Sequence, residues 1–308
     1  MMNETIKKSK IGYKAKKRIS IISTYAILTI LSLIWIVPIL WIVLHAFRTE
    51  YNVNSDGTKE LVGIVVSHYF PKEYGLDNFK LLFTYPHYAV PNAFIKWWTN
   101  TLIVSVCCCL ISTFLVLSVG YCMSKLRFKL RKPFMNITMI LGLFPGFMSM
   151  VAIYYLLKAM GLTQNLFGLI LAYSAGAGLG FQVPKGFFDV LPSSLVESAK
   201  LDGCSNFKIF WKIILPLSKP IIIYQLLMSF TGPWMDFIFA KVIMGDNSPA
   251  NWTVAVGLYQ ILYGPQADAS MFTQFAAGCV CIGVPIVLLF MFLQKYYVEG
   301  VTAGAVKG

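Results

Sequence analysis

The stretch Glu197–Pro220, "ESAKLDGCSNFKIFWKIILPLSKP", is charged and punctuated by glycine, yet it lies between two long apolar segments. Ser194 followed three residues on by Glu197 reads as a capping box, so a short helix is expected from Leu195 to a left-handed stop at Gly203. Ser205 can cap a second helix, in which Phe207, Phe210, Trp211 and Ile214 fall at i, i+3, i+4 and i+7. Pro216 and Pro220 then interrupt it. The expected shape is a helix-turn-helix elbow at a membrane surface.

The flanks set that membrane context. Of the 308 residues 57% are hydrophobic and 13% charged, against about 25% charged in a soluble chain, and the mean hydropathy is +0.68. A helix needs about 20 apolar residues to cross a bilayer core with its backbone satisfied internally. Such stretches are expected at 21–47, 101–124, 134–157, 165–183, 221–243 and 272–294. The fold class is therefore an all-α integral membrane protein of six spans. Residues 1–20 form a basic tail, 48–100 a long loop rich in aromatics, 101–294 the five-helix core and 295–308 a second tail. The first span follows basic residues as a signal peptide does, but its length and the lack of a small-residue cleavage site make it an uncleaved helix.

The net charge of +13 is distributed as a topology signal rather than as a nucleic-acid footprint. Seven Lys or Arg lie in residues 1–20, five in 125–133, five in 184–220 and two in the tail from 295. Segment 48–100 balances five basic with five acidic residues, and 244–271 has no basic residue. The positive-inside rule then puts both termini and the elbow in the cytoplasm, with 48–100 and 244–271 outside. Within 245–271, "NWTVAVGLYQIL" holds an apolar block that can pack locally while its rim, with Asn251 and Gln260, offers a docking face. Seven cysteines at 107, 108, 109, 122, 204, 279 and 281 fall in spans or on the cytoplasmic side and read as reduced apolar fillers.

Catalytic chemistry is sparse. The sequence has no GxxxxGK[ST] phosphate loop, so the chain is not expected to hydrolyse ATP. His45, His68 and His87 lack metal-ligand spacing. Asp236, in "FTGPWMDF", is the acid lying well inside an expected span, just after Gly232 and Pro233. Two readings stand: the break and the acid face a watery path between helices, or Asp236 is an interfacial acid reached by Lys241. Similar breaks at Gly142, Pro145 and Gly146 and at Gly283 and Pro285 suit kinked, moving helices, or ordinary close packing.

Spacing is more informative than shape in the opening stretch. Glu197-Ser198-Ala199, then Gly203, then Ile213-x-Leu215-Pro216 resembles the E-A-A-x3-G-x9-I-x-L-P loop of permease subunits of binding-protein-dependent ABC importers, and the Asp202-Gly203 pair is also similar. Ser198 stands where Ala is usual, and Cys204 follows the glycine in place of a smaller residue. From about Leu76 onward, "GLDNFKLLF", "GYCMSKLRFKLRKP" and "LLKAMGLTQNLFGLIL" look like the same family, while "NWTVAVGLY" and the tail "VTAGAVKG" look like its carbohydrate permeases, maltose and maltodextrin importers above all.

That resemblance implies a type I importer permease fold with a cytoplasmic coupling helix. It implies a second permease subunit, two ATPases that use ATP and magnesium, an extracytoplasmic sugar-binding protein, and no cofactor on this chain. Glu197, Ser198, Ala199, Asp202, Gly203, Ile213, Leu215 and Pro216 would couple to the ATPase, and Gly232, Pro233 and Asp236 would face the path. The implied cargo is a maltodextrin-like oligosaccharide, with another sugar, a polyol or a glycerol phosphate as the alternative. An ion-coupled secondary transporter using Asp236 is the rival from another class; it calls for inverted repeats and several buried charges, which the sequence does not display.

Overall fold

The computed structural model describes residues 2–53, 55–63 and 68–305, with side chains outside 2–11, 13–14, 269 and 295–305. α1 (Met2–Ala46) passes through Pro38 as one helix. A small hairpin, β1 (Tyr51–Val53) antiparallel to β2 (Lys59–Leu61), and α2 (Asp77–Thr84) lead to α3 (Ala93–Lys125). α4 (Arg131–Gly142), α5 (Gly146–Ala159) and α6 (Leu166–Ala177) follow, and a tight turn at Gly178–Phe181 leads into α7 (Gln182–Val190). The elbow comprises α8 (Ser193–Leu201), α9 (Asn206–Ile209), a π turn at Phe210–Ile214 and α10 (Leu215–Leu217). α11 (Lys219–Met235), α12 (Ile238–Met244), α13 (Val254–Tyr263) and α14 (Phe272–Ala305) complete the chain.

Four stretches are long and apolar enough to cross a membrane: Ala15–Ala46, Ala93–Lys125, Leu166–Val190 and Phe272–Gln294. Two bent pairs bring the count to six among the described residues: Arg131–Gly142 with Gly146–Ala159 at 103°, and Asn206–Leu217 with Lys219–Met235 at 89°. The expected straight span 134–157 is thus broken. Pro145 disfavours helix at the residue before it, and α5 restarts at Gly146. The 221–243 span stops at Met235, and the glycine-rich fourth span tightens to a 3-10 turn before continuing to Val190. α3 begins at Ala93 rather than Thr101, while α14 continues through Pro285 as far as Ala305. The last three residues of the Val301–Gly308 tail lie outside the described residues.

α3 is the hub. Its buried Trp97, Thr101, Val104, Cys108, Ser112 and Val116 recur every three or four positions, which makes one stripe down the helix. α6, α7, α11 and α13 lie against it. One apolar core gathers Trp97, Trp252, Phe94, Leu82, Val254 and Ile261 where α2 and α13 meet α3. A second, around the far end of α3, holds the elbow. Small residues on the stripe let helices approach where bilayer lipid offers no hydrophobic drive between them.

The segment between α1 and α3 is tied down by polar contacts. Arg48 is fully buried and donates to the carbonyls of His68 and Tyr69. Burial pushes the Glu50 carboxyl up, but the Lys72 N–H at 2.6 Å, His68 and Arg48 outweigh it and hold the group below its ordinary value. His87 is buried, 4.9 Å from the ring of Tyr85, and burial pulls its imidazole from 6.5 down to about 4. The folded state therefore keeps His87 neutral. Between those two values the unfolded chain binds the extra proton, so stability falls as pH falls from 6.5 toward 4. The expected loss at pH 5 is about 2 kcal/mol. Thermal unfolding of the purified protein at pH 7.5 and pH 5 checks it, and His87→Gln should remove that part of the slope.

Candidate functional site

α8 begins at Ser193, after Pro192, and carries no side-chain cap. The Ser194–Glu197 capping box is therefore not formed. Pro192 supplies the turn and the helix starts two residues before Leu195, which leaves Ser194 inside the first turn. Glu197 instead presents an exposed carboxylate from mid-helix. The stop is as expected: Gly203 has φ +75°, the Cys204 N–H donates to the Ala199 carbonyl at 2.9 Å and the Gly203 N–H to Lys200 at 3.0 Å. This is a Schellman stop, which needs the left-handed residue. Ser205 caps α9 by accepting the Lys208 N–H at 3.3 Å.

The second helix differs from its expected register. Ile209, Phe210 and Ile214 are buried with Val196, Ala199, Leu117, Tyr121 and Phe188 in the second core, and Ile213 and Leu215 sit at its edge. Phe207 and Trp211, expected on the same stripe, are exposed. The inward face follows Ile209, Phe210, Ile213 and Ile214, packed on α3 and α7, which turns Phe207 and Trp211 outward, and the chain winds through Phe210–Ile214 as a π turn. The Tyr121 hydroxyl donates to the Asn206 carbonyl at 3.2 Å, fixing the elbow to α3. At the 89° bend, Ser218 is fully buried and its hydroxyl donates to the Ile214 carbonyl at 2.7 Å. Of the residues singled out from sequence, Ala199 points inward, while Glu197, Ser198, Asp202, Gly203 and Pro216 stay exposed. Leu201, 90% exposed, and Phe207, 70% exposed, are apolar tips that the periodicity misassigned or passed over.

Gly232, Pro233 and Asp236 line one cavity of about 410 Å³, together with Ser112, Tyr173 and Gln225. Asp236 is not within a helix: α11 ends at Met235, and Asp236 has extended backbone at φ −84° and ψ 115°. Pro233, which cannot donate a helical hydrogen bond, lies in that last turn. The Asp236 carboxylate accepts the Tyr173 hydroxyl at 2.6 Å and the Phe239 N–H at 3.1 Å, so it joins α6, α11 and α12. Lys241 does not reach it, because Lys241 pairs with Asp246. Tyr173 was missed because its partner is 63 residues away and no local pattern marks the pair.

The 245–271 segment is more enclosed than its sequence suggests. α13 buries Val254, Val256, Leu258 and Ile261, and Gln260 also turns inward, donating to Asp246 at 2.9 Å. Asn251 donates to the Gln164 carbonyl. Among the described residues of this segment, Asp246, Asn247, Tyr259, Tyr263 and residues 265–268 are exposed.

The sequence model of a family described as "Binding-protein-dependent transport system inner membrane component" matches residues 114–302. The chain belongs to this family. The matched region takes in the elbow and the Asp236 cavity, apart from Cys108 and Ser112 at its edge. Among relatives of this inner membrane component, the galactooligosaccharides transport system permease protein GanQ of Bacillus subtilis is 31% identical over 296 residues, 96% of this chain and 98% of that one. The maltodextrin transport system permease protein MalD of Streptococcus pneumoniae is 33% identical over 296 residues, with the same shares covered. A crystal structure of a bacterial ABC transporter involved in the import of the acidic polysaccharide alginate has a chain of the same fold, with TM-score 0.74 and 20% identity over 91% of this chain and 97% of that one. That likeness assigns the fold as the type I permease fold.

Proposed function

We propose that this chain is a permease subunit of an ATP-driven importer of carbohydrate, forms half of the translocation path, and takes maltodextrin-like oligosaccharides. The permease relatives support this reading, since they match almost end to end. In it the chain pairs with a second permease in the cytoplasmic membrane, both termini face the cytoplasm, two ATPases that bind ATP and magnesium sit below, and a sugar-binding protein docks above. The galactooligosaccharide relative, matched over the same length, keeps a different sugar as the alternative.

The observation that carries the mechanism is the elbow itself, with one face anchored in a core against α3 and α7 and the other exposing Glu197, Asp202, Leu201 and Phe207. A rigid-body movement of an ATPase gripping that exposed face is passed through Ile213, Leu215 and Pro216 to the bend at Ser218, and so into α11. The last turn of α11 carries Gly232 and Pro233, and Asp236 follows directly after its end at Met235, which brings the motion to the cavity. The chain supplies the lever and the partners supply the hydrolysis.

Reconstitution with co-purified partners tests the whole reading: sugar uptake should require added ATP and the binding protein. Uptake by the lone chain under a sodium or proton gradient would overturn it, and competition by galactooligosaccharide over maltodextrin would select the alternative cargo.

Asp236→Asn keeps an acceptor oxygen and the approximate shape of the side chain, so assembly is expected to survive while uptake falls several-fold. Tyr173→Phe, which removes the donor and leaves the Phe239 N–H contact, should give a similar fall. Uptake and subunit co-purification measured on the same membranes check both. Wild-type uptake in the two variants would remove Asp236 from the path.

A further inference from the structure

A cavity of about 640 Å³ opens between the end of α3, the 126–130 connection, the end of α7 and the first turns of α8. Lys125, Arg127, Arg131 and Lys200 converge on it, against the two carboxylates of Asp189 and Glu197. Asp189 is already committed: it accepts the Ser124 hydroxyl and the Lys185 ammonium, each at 2.6 Å. Lys125 donates to the Leu191 carbonyl at 2.7 Å. The side chains of Arg127 and Lys200 make no hydrogen bond or ion pair among the described residues, while the Arg131 guanidinium attracts the Asp189 carboxylate. The first turn of α8, at Ser193, adds backbone donors that no side chain caps. The cavity thus sets four cations, of which Arg127 and Lys200 are uncommitted, and a helix N-terminus against the two carboxylates of Asp189 and Glu197, and this excess of positive charge asks for a phosphate.

The walls say where that phosphate comes from. In "KLRFKLRK" the cations alternate with Leu126, Phe128 and Leu130, and Phe128 and Leu130 are 44% and 70% exposed. Exposed apolar side chains beside cations suit the headgroup boundary of a bilayer, where rings and aliphatic chains enter the acyl region and cations meet phosphates. A purely aqueous anion would leave Phe128 and Leu130 in water. We propose that this cavity binds the phosphate-bearing headgroup of an anionic phospholipid, and by doing so ties the α3–α4 connection to the elbow. Only the choice of the cytoplasmic leaflet rests on the proposed topology; binding is read on the chain itself, so its failure is distinct from a failure of transport.

The test uses the full purified chain in neutral detergent, titrated with short-chain phosphatidylglycerol, short-chain phosphatidylcholine and inorganic phosphate, with bound molecules counted by native mass spectrometry. Phosphatidylglycerol is expected to bind in preference to the other two. The double variant Arg127→Gln with Arg131→Gln should bind it about twenty-fivefold more weakly, at roughly fivefold per basic residue removed. The double Lys variant at the same positions should keep binding, and both variants should melt like wild type without lipid. Undiminished phosphatidylglycerol binding by the Gln variant would overturn the site. Equal occupancy by inorganic phosphate would make it a free-ion site and overturn the lipid assignment. So would loss of ATPase co-purification in the Gln variant under lipid-free conditions, which would give the cavity to the motor.

Discussion

Gly203→Val is expected to leave the chain inserted and to remove most of its transport. Gly203 sits at φ +75°, in the Schellman stop between α8 and α9, and a Cβ there meets nothing within 4 Å. The penalty is therefore conformational rather than steric, about 1–3 kcal/mol for a β-branched residue held in the left-handed region. The elbow can shed that strain only by opening the stop, which moves Glu197 and Leu201 relative to Phe207. At roughly tenfold per 1.4 kcal/mol, the equilibrium between the native elbow and opened shapes shifts about fivefold to a hundredfold toward the opened ones. The spans that flank the elbow keep their own packing. Uptake and ATPase pull-down on the same membranes measure the effect. Gly203→Asn, which tolerates the left-handed region, should retain much more transport than valine. Import at the wild-type rate by the valine variant would detach the elbow from coupling.

The second large effect concerns the fold. Gly257 on α13 faces Trp97 so closely that an added Cβ would lie 2.0 Å from the indole Cε3. Trp97 is fully buried and its Nε1–H donates to the Pro249 carbonyl at 2.7 Å, so the ring has no cheap retreat. Gly257→Val adds overpacking of about 1–3 kcal/mol or more, and a displaced indole leaves a buried donor unpaired, worth about another 1–3 kcal/mol. Most of the folded protein should be lost, read as the monodisperse fraction after detergent extraction. Gly232→Ala is the control, because a Cβ there meets nothing within 4 Å. Equal yields from the two variants would mean that α13 does not lean on α3 as described.

The sequence located the six apolar stretches because bilayer thickness imposes a length that composition reveals. It located the elbow because Gly203 and Ser205 act locally, through their own backbone and the next few residues. What it missed depends on distance or on backbone winding. Ser194 looked like a cap until Pro192 moved the start of α8. Phe207 and Trp211 looked inward-facing because two apolar stripes overlap in this helix, and packing against α3 and α7 selects the one through Ile209, Phe210, Ile213 and Ile214. Asp236 looked mid-span because eleven apolar neighbours hide the helix end at Met235, and its partner Tyr173 comes from another helix. Gln260 sits in an apolar block whose inward face only the packing against α3 and α14 decides.

The π turn at Phe210–Ile214 also gears the elbow to the span behind it. Upstream lie the exposed tips of α8 and α9; downstream lie α10, the bend at Ser218 and α11. A π turn holds one residue more than an α turn, so removing one residue from it would let Phe210–Ile214 close as an ordinary α turn with the two halves in nearly their present orientation. A single-codon loss here is thus absorbed by the turn, whereas the same loss in α8 or α11 would swing one half by about 100° against the other.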